Sequence, residues 1–127
     1  MSEIRALIVD DSSVMRKIVE RSLRQAGLDL KEVYEAASGV EGLEVLRSRS
    51  VDLILSDINM PSMDGLEFLR QIRAQKLADG VPVVMITTES SEEHVKQAIE
   101  AGAQGYIRKP FTPDQVKERV LPLVKAA

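Results

Sequence analysis

Residues 53–69 read Leu53-Ile54-Leu55-Ser56-Asp57-Ile58-Asn59-Met60-Pro61-Ser62-Met63-Asp64-Gly65-Leu66-Glu67-Phe68-Leu69, and they set the frame for the whole chain. The opening run is continuously apolar rather than alternating, as expected of a parallel strand buried on both faces. It stops at a carboxylate, Asp57, and passes through a turn-rich segment. Asp64 then stands where it can cap a helix carrying Leu66, Leu69 and Ile72 on one face. The segment is a strand, a turn and a helix.

The same unit recurs on both sides. Apolar runs at Ala6-Leu7-Ile8-Val9, Val33-Tyr34, Val81 to Ile86 and Tyr106-Ile107 join the one at Leu53 at intervals of about 25 residues. Helices fill the gaps. Ser38 with Glu41, Ser90 with Glu93 and Thr112 with Gln115 make capping-box patterns, and Pro113 falls at a first helical position, where its missing N–H does no harm. Met15, Ile18, Val19 and Ser22 follow the helical spacing, as do Val95, Ala98, Ile99 and Gly102. Pro122 interrupts the last pattern and predicts a kink or a short final turn. The order is (βα)₅, an α/β fold with a doubly wound, five-stranded parallel sheet, right-handed crossovers and helices on both faces. No low-complexity stretch divides it. Residues 1–127 are expected to form one domain with no output domain attached.

Composition narrows the function. The 127 residues carry a net charge of −3, with 3% aromatics, so the basic footprint of a nucleic-acid binder is missing. No apolar run approaches the roughly 20 residues that span a bilayer, and no signal peptide is expected, so the default location is the cytoplasm. There is no cysteine and one histidine. A metal would have to be held by oxygen, which points to Mg²⁺, Ca²⁺ or Mn²⁺.

Open α/β sheets bind ligands at the carboxyl ends of their strands. The first strand ends in Asp10-Asp11, the third in Asp57, the fourth in Thr87 and the fifth in Lys109, whereas the second ends in Ala36-Ala37 and offers nothing. Taken singly, each has a plain reading: Asp11 as a helix cap, Asp57 as a turn opener, Thr87 as a strand residue, Lys109 as a solvated strand end. Together they do not. Two carboxylates about 5 Å apart repel by roughly 3 kcal/mol at an effective dielectric near 20. A divalent cation turns that cost into a binding site, and a site poor in carboxylates and rich in water suits Mg²⁺.

Asp10-Asp11, the run Asp57-Ile58-Asn59-Met60-Pro61-Ser62-Met63-Asp64-Gly65, Thr87 and Lys109-Pro110-Phe111 resemble the receiver domains of two-component signalling, over essentially the whole chain. Within that family the likeness is to single-domain chemotaxis regulators. The resemblance implies a flavodoxin-like strand order of 2-1-3-4-5. It implies that Asp57 is the phosphoacceptor for a sensor histidine kinase. Asp11, Asp57 and the Asn59 backbone carbonyl would then bind Mg²⁺ directly, with Asp10 acting through a metal-bound water. Lys109 and Thr87 would contact the phosphoryl group; the family usually has a cis bond at the equivalent of Lys109–Pro110, which the sequence by itself leaves open. Thr87 and Tyr106 would relay the change to the face around the fifth strand, with a flagellar motor switch or another output protein as target. Asn59 and Glu89 occupy the positions that set the dephosphorylation rate, and the pair resembles the fast-decaying type. The protein would be a monomeric signalling phosphoacceptor rather than an enzyme, with intrinsic Mg²⁺-dependent phosphotransfer and autodephosphorylation. One departure stands out: Ser90-Ser91-Glu92-Glu93 is acidic where motor-binding relatives often present a lysine. His94 reads as a solvated helix residue.

Other functions fit less well. A flavodoxin-like cofactor binder needs a Ser/Thr/Gly phosphate loop and aromatics, and Asp10-Asp11-Ser12-Ser13 is too acidic for that. An aspartyl-phosphate phosphatase of the haloacid dehalogenase type needs Asp-x-Asp and a cap domain. A phosphorelay shuttle and a receiver cut from a larger regulator share every residue above.

Overall fold

The computed structural model describes residues 3–58, 60, 63–87, 92–109 and 111–125, with the backbone alone at 92, 94, 95 and 125. The elements run β1 (Ile4–Val9), α1 (Ser13–Gln25), β2 (Leu30–Ala36), α2 (Gly39–Ser48), β3 (Leu53–Asp57), α3 (Gly65–Ala74), β4 (Val83–Thr87), α4 (Glu92–Glu100), β5 (Gly105–Arg108) and α5 (Pro113–Lys125). Every strand pair is parallel, and the sheet order is β2-β1-β3-β4-β5. The expected (βα)₅ order and strand arrangement are both present.

Strand alternation divides the core in two. Leu7, Val9, Ile54, Val83 and Met85 face α2, α3 and α4, packing on Leu43, Leu46, Phe68, Leu69, Ile72 and Ala98. Ala6, Ile8, Leu53, Leu55, Val84, Ile86 and Ile107 face α1 and α5, packing on Val19, Leu23, Val116 and Val120. Burying both faces explains why the three central strands read as unbroken apolar runs. Strand β2, at the edge, is longer than its Val33-Tyr34 signal, because five of its seven residues are half-covered or exposed. Strand β4 starts at Val83 rather than Val81, after Pro82, which has no N–H for the ladder.

Helix starts follow local chemistry. Ser12, not Asp11, caps α1, its hydroxyl accepting from the Met15 N–H at 3.2 Å. Asp64 caps α3 through the Glu67 N–H, and Thr112 and Gln115 form a reciprocal capping box on α5. Ser38 caps α2, but the Glu41 carboxylate reaches back to the N–H of Ala37, one residue earlier than the standard box. The Ser90–Glu93 pattern includes residues outside those described. Helix α5 continues past Pro122 to Lys125, so no short final turn is needed. Two helical positions expected in the core are exposed: Ile18 at 42% and Ile99 at 55%.

Candidate functional site

The sheet brings the strand-end residues together. Strands β1 and β3 are neighbours, so Asp10 and Asp11, just past the end of β1, meet Asp57, the last residue of β3. One carboxylate oxygen from each lies within 4.8 Å of the others. Asp10 and Asp57 are buried and Asp11 is exposed. The Asp10 N–H donates to the Ala36 carbonyl at 3.1 Å, and its Oδ1 accepts from the Ser12 N–H at 2.9 Å. The start of α1 thereby fixes this carboxylate.

Lys109 enters from the far side. Its N–H donates to the Thr87 carbonyl at 2.7 Å, extending the β4–β5 ladder by one step. Its Nζ lies 3.5 Å from Asp10 Oδ2 and 3.4 Å from Asp57 Oδ2, with side-chain exposures of 13%, 4% and 8% respectively. One ammonium among three carboxylates leaves the cluster with net negative charge. That charge, with three hard oxygens at this spacing, is a donor set for a divalent cation of the Mg²⁺ class.

Thr87 is fully buried and closes β4. Asp57 pairs in register with Ile86, so Thr87 stands one residue beyond it on the adjacent strand. Thr87 in turn pairs with Arg108, and Met85 with Tyr106. Residues two apart share a face, so Thr87 and Tyr106 lie on the same side of the sheet. Tyr106 is half-buried, and the Arg119 guanidinium from α5 sits 5.0 Å over its ring centroid. A cation over an aromatic face is attractive and steadies the ring where it is. Asn59, Glu89 and Pro110 lie outside the described residues, as does the His94 side chain.

The same architecture occurs in known proteins. A family model for the response regulator receiver domain matches residues 6–121. The chain belongs to the response regulator receiver family. A Campylobacter jejuni protein named as a chemotaxis protein CheY homolog is 42% identical to this receiver over 118 residues, 92% of this chain and 89% of that one. Among solved structures, Vibrio cholerae chemotaxis protein CheY4 matches with a TM-score of 0.83 at 37% identity, covering 97% of this chain and 99% of that one. A CheY-like receiver domain from Methanospirillum hungatei matches with a TM-score of 0.84 at 31% identity, covering 98% and 96%. Receiver domains of this family interact with histidine kinases and output partners. Among the described residues no helix is long and apolar enough to cross a membrane.

Strand β2 contributes more to this receiver's site than its alanine-ended sequence suggested. Glu35, one residue before its end, accepts from Arg16 Nε at 2.8 Å and from Lys17 Nζ at 3.0 Å. The Arg16 hydrogen bond, then that of Lys17, holds the Glu35 carboxyl below the usual carboxylate range. Arg16 also donates from Nη1 to the Asp10 carbonyl at 2.6 Å. A network spanning 19 positions leaves no local spacing signal, so only the fold reveals it.

Proposed function

We propose that this receiver, residues 1–127, accepts a phosphoryl group on Asp57 from the phosphohistidine of a sensor histidine kinase. The observation that carries the reading is the buried Asp57 carboxylate, gathered with Asp10 and Asp11 and faced by the Lys109 ammonium at 3.4 Å. An Asp57 oxygen attacks phosphorus, the P–O bond forms as the P–N bond to the imidazole breaks, and an acyl phosphate results. Phosphoryl transfer depends on positioning and on neutralising oxygen charge. Asp10, Asp11 and Asp57 would hold Mg²⁺, which when bound offsets the charge of the cluster and of the phosphoryl oxygens. Lys109 supplies the second positive charge, and Thr87 a neutral hydroxyl for the product.

The chemotaxis names of its relatives favour a role in chemotaxis, and we place it in the cytoplasm, with the α4–β5–α5 face addressing a flagellar motor switch or comparable target. The direct test is incubation with Mg²⁺ and acetyl phosphate, followed by mass-spectrometric mapping of the acyl phosphate. A single modified residue, Asp57, is expected; modification elsewhere would refute the assignment.

Metal should stabilise the fold, because a ligand held only by the native state shifts the equilibrium toward it. Asp11 is the informative position, since Lys109 pairs with Asp10 and Asp57 but not with it. Asp11→Asn removes repulsion without stripping the lysine, so the apo protein should gain about 1 kcal/mol after solvent screening. Its melting temperature should then respond little to Mg²⁺. A variant less stable than wild type, with the Mg²⁺ response intact, would count against the cluster.

Readout is expected to run from Thr87 to Tyr106. A single neutral hydrogen bond is worth about 1 kcal/mol net, enough to bias a two-state equilibrium by roughly five- to tenfold. With 3-fluorotyrosine in a Tyr34→Phe background, the Tyr106 fluorine signal should move on adding Mg²⁺ and beryllofluoride. In Thr87→Ala the equilibrium constant for the move should drop by that factor, while Asp57 labelling stays within a few-fold of wild type. A complete shift in Thr87→Ala would remove Thr87 from the relay.

A further inference from the structure

We propose that Arg16 and Glu35 form a clamp that sets the Asp10–Asp11 peptide, making Arg16 a positioning residue for the divalent-cation site. The inference rests on reading the three aspartates as that site. Arg16 reaches back from α1 and uses two different nitrogens for two different tasks. Nη1 holds the Asp10 carbonyl at 2.6 Å, and Nε anchors the guanidinium on Glu35 at 2.8 Å. The fork of an arginine can do both at once, which the point charge of a lysine cannot. Arg16 is the inner partner, with a side chain 15% exposed, whereas Lys17, the second cation on Glu35, is 67% exposed.

What the clamp fixes is a plane. The Asp10 carbonyl and the Asp11 N–H belong to one rigid peptide unit. On the other side of Asp10, its own N–H is tied to the Ala36 carbonyl of β2. Edge strand β2 therefore grips Asp10 before the residue, through Ala36, and after it, through Glu35 and Arg16. Asp11 needs this support. Among the described residues its carboxylate has no hydrogen-bond donor of its own, so the direction it leaves the backbone sets where its oxygens lie. Asp10, by contrast, has Ser12 on one oxygen and Lys109 near the other.

Electrostatics and positioning make opposite predictions for Arg16. A fixed cation beside a cation site repels the ion, so if charge alone mattered, Arg16→Met would tighten Mg²⁺ binding. If the clamp orients the ligands, the same change weakens it, by roughly tenfold at the lower end of outer-shell effects on metal sites. Arg16→Lys separates the terms again: it keeps the charge and loses the bridge, so it too should bind several-fold more weakly.

The experiment is calorimetric titration of Mg²⁺ into the apo protein, residues 1–127, and these variants, with Asp11→Asn alongside. Amide NMR of the apo forms and a urea midpoint for each variant accompany it. Expected are a weaker Kd in Arg16→Met and Arg16→Lys, displaced Asp11 and Ser12 amides, and a cooperative unfolding transition. Should Arg16→Met not fold, Arg16→Lys decides alone. Unchanged or tighter Mg²⁺ binding in Arg16→Lys, with Asp11→Asn abolishing it, would overturn the clamp and leave the metal site standing. No Mg²⁺ binding in wild type would overturn both.

Discussion

Asp57→Asn is expected to reduce phosphoryl labelling to background while leaving the fold intact. Asparagine keeps the shape of the side chain but lacks the anionic oxygen that attacks phosphorus. The cost to the fold can be judged from the charges. At an effective dielectric near 20, Asp57 gains about 5 kcal/mol from Lys109 at 3.4 Å. It loses about 3.5 kcal/mol or more to each of two carboxylates within 4.8 Å, before screening at exposed Asp11. Repulsion slightly outweighs attraction, and Lys109 retains Asp10 at 3.5 Å. The apo variant should therefore melt at or slightly above the wild-type temperature. Phosphate-affinity electrophoresis after acetyl phosphate treatment, beside a thermal melt, measures both. Wild-type labelling in a folded Asp57→Asn protein would overturn the assignment of the acceptor.

The central part of this architecture was legible because its signals are local. Continuous apolar runs mark β1, β3 and β4 since both sides of those strands are covered, and Asp64 and Thr112 announce their helices within three residues of the group they cap. The strand-end rule then placed Asp10, Asp11, Asp57, Thr87 and Lys109 on one edge from the residue order alone. Signals failed where coverage is partial. Ile18 and Ile99 obey the helical spacing but lie on outward faces of α1 and α4, since periodicity marks a stripe and not what packs against it. Strand β2 looked short because an edge strand need not be apolar on both sides. Glu35 was invisible for a different reason: its value comes from Arg16, on another element, and from the Asp10 carbonyl, which no residue type encodes.

Gly65→Ala should be the most disruptive small substitution near the site. A Cβ there would stand 2.3 Å from the Asp57 carbonyl oxygen, 2.7 Å from Ile58 Cα and 2.7 Å from Met85 Cε. The methionine end can swing aside, but the other two are backbone and cannot. The Asp57 carbonyl is also engaged by the Ser56 hydroxyl at 3.0 Å, and the Gly65 N–H donates to the Ile58 carbonyl at 2.8 Å. The first turn of α3 is thus seated directly on the strand end that carries Asp57. Overpacking costs typically about 1–3 kcal/mol and sometimes more, and two backbone clashes argue for the upper end. Alanine recovers up to about 1 kcal/mol through its helical preference, leaving a loss of roughly 2 kcal/mol. For a domain of this size that is a fall of roughly 6–10 °C in melting temperature. Because α3 must move off Asp57 to relieve the clash, labelling should drop several-fold even at temperatures where the variant is folded. Gly27→Ala is the control. Gly27 has φ +98°, but a methyl group added at its Cα would meet nothing within 4 Å, so the cost is backbone strain alone, far from the acceptor. It should melt lower by a few degrees and label like wild type. If Gly65→Ala labels at the wild-type rate, or the two glycine variants behave alike, close seating of α3 has no part in shaping the acceptor.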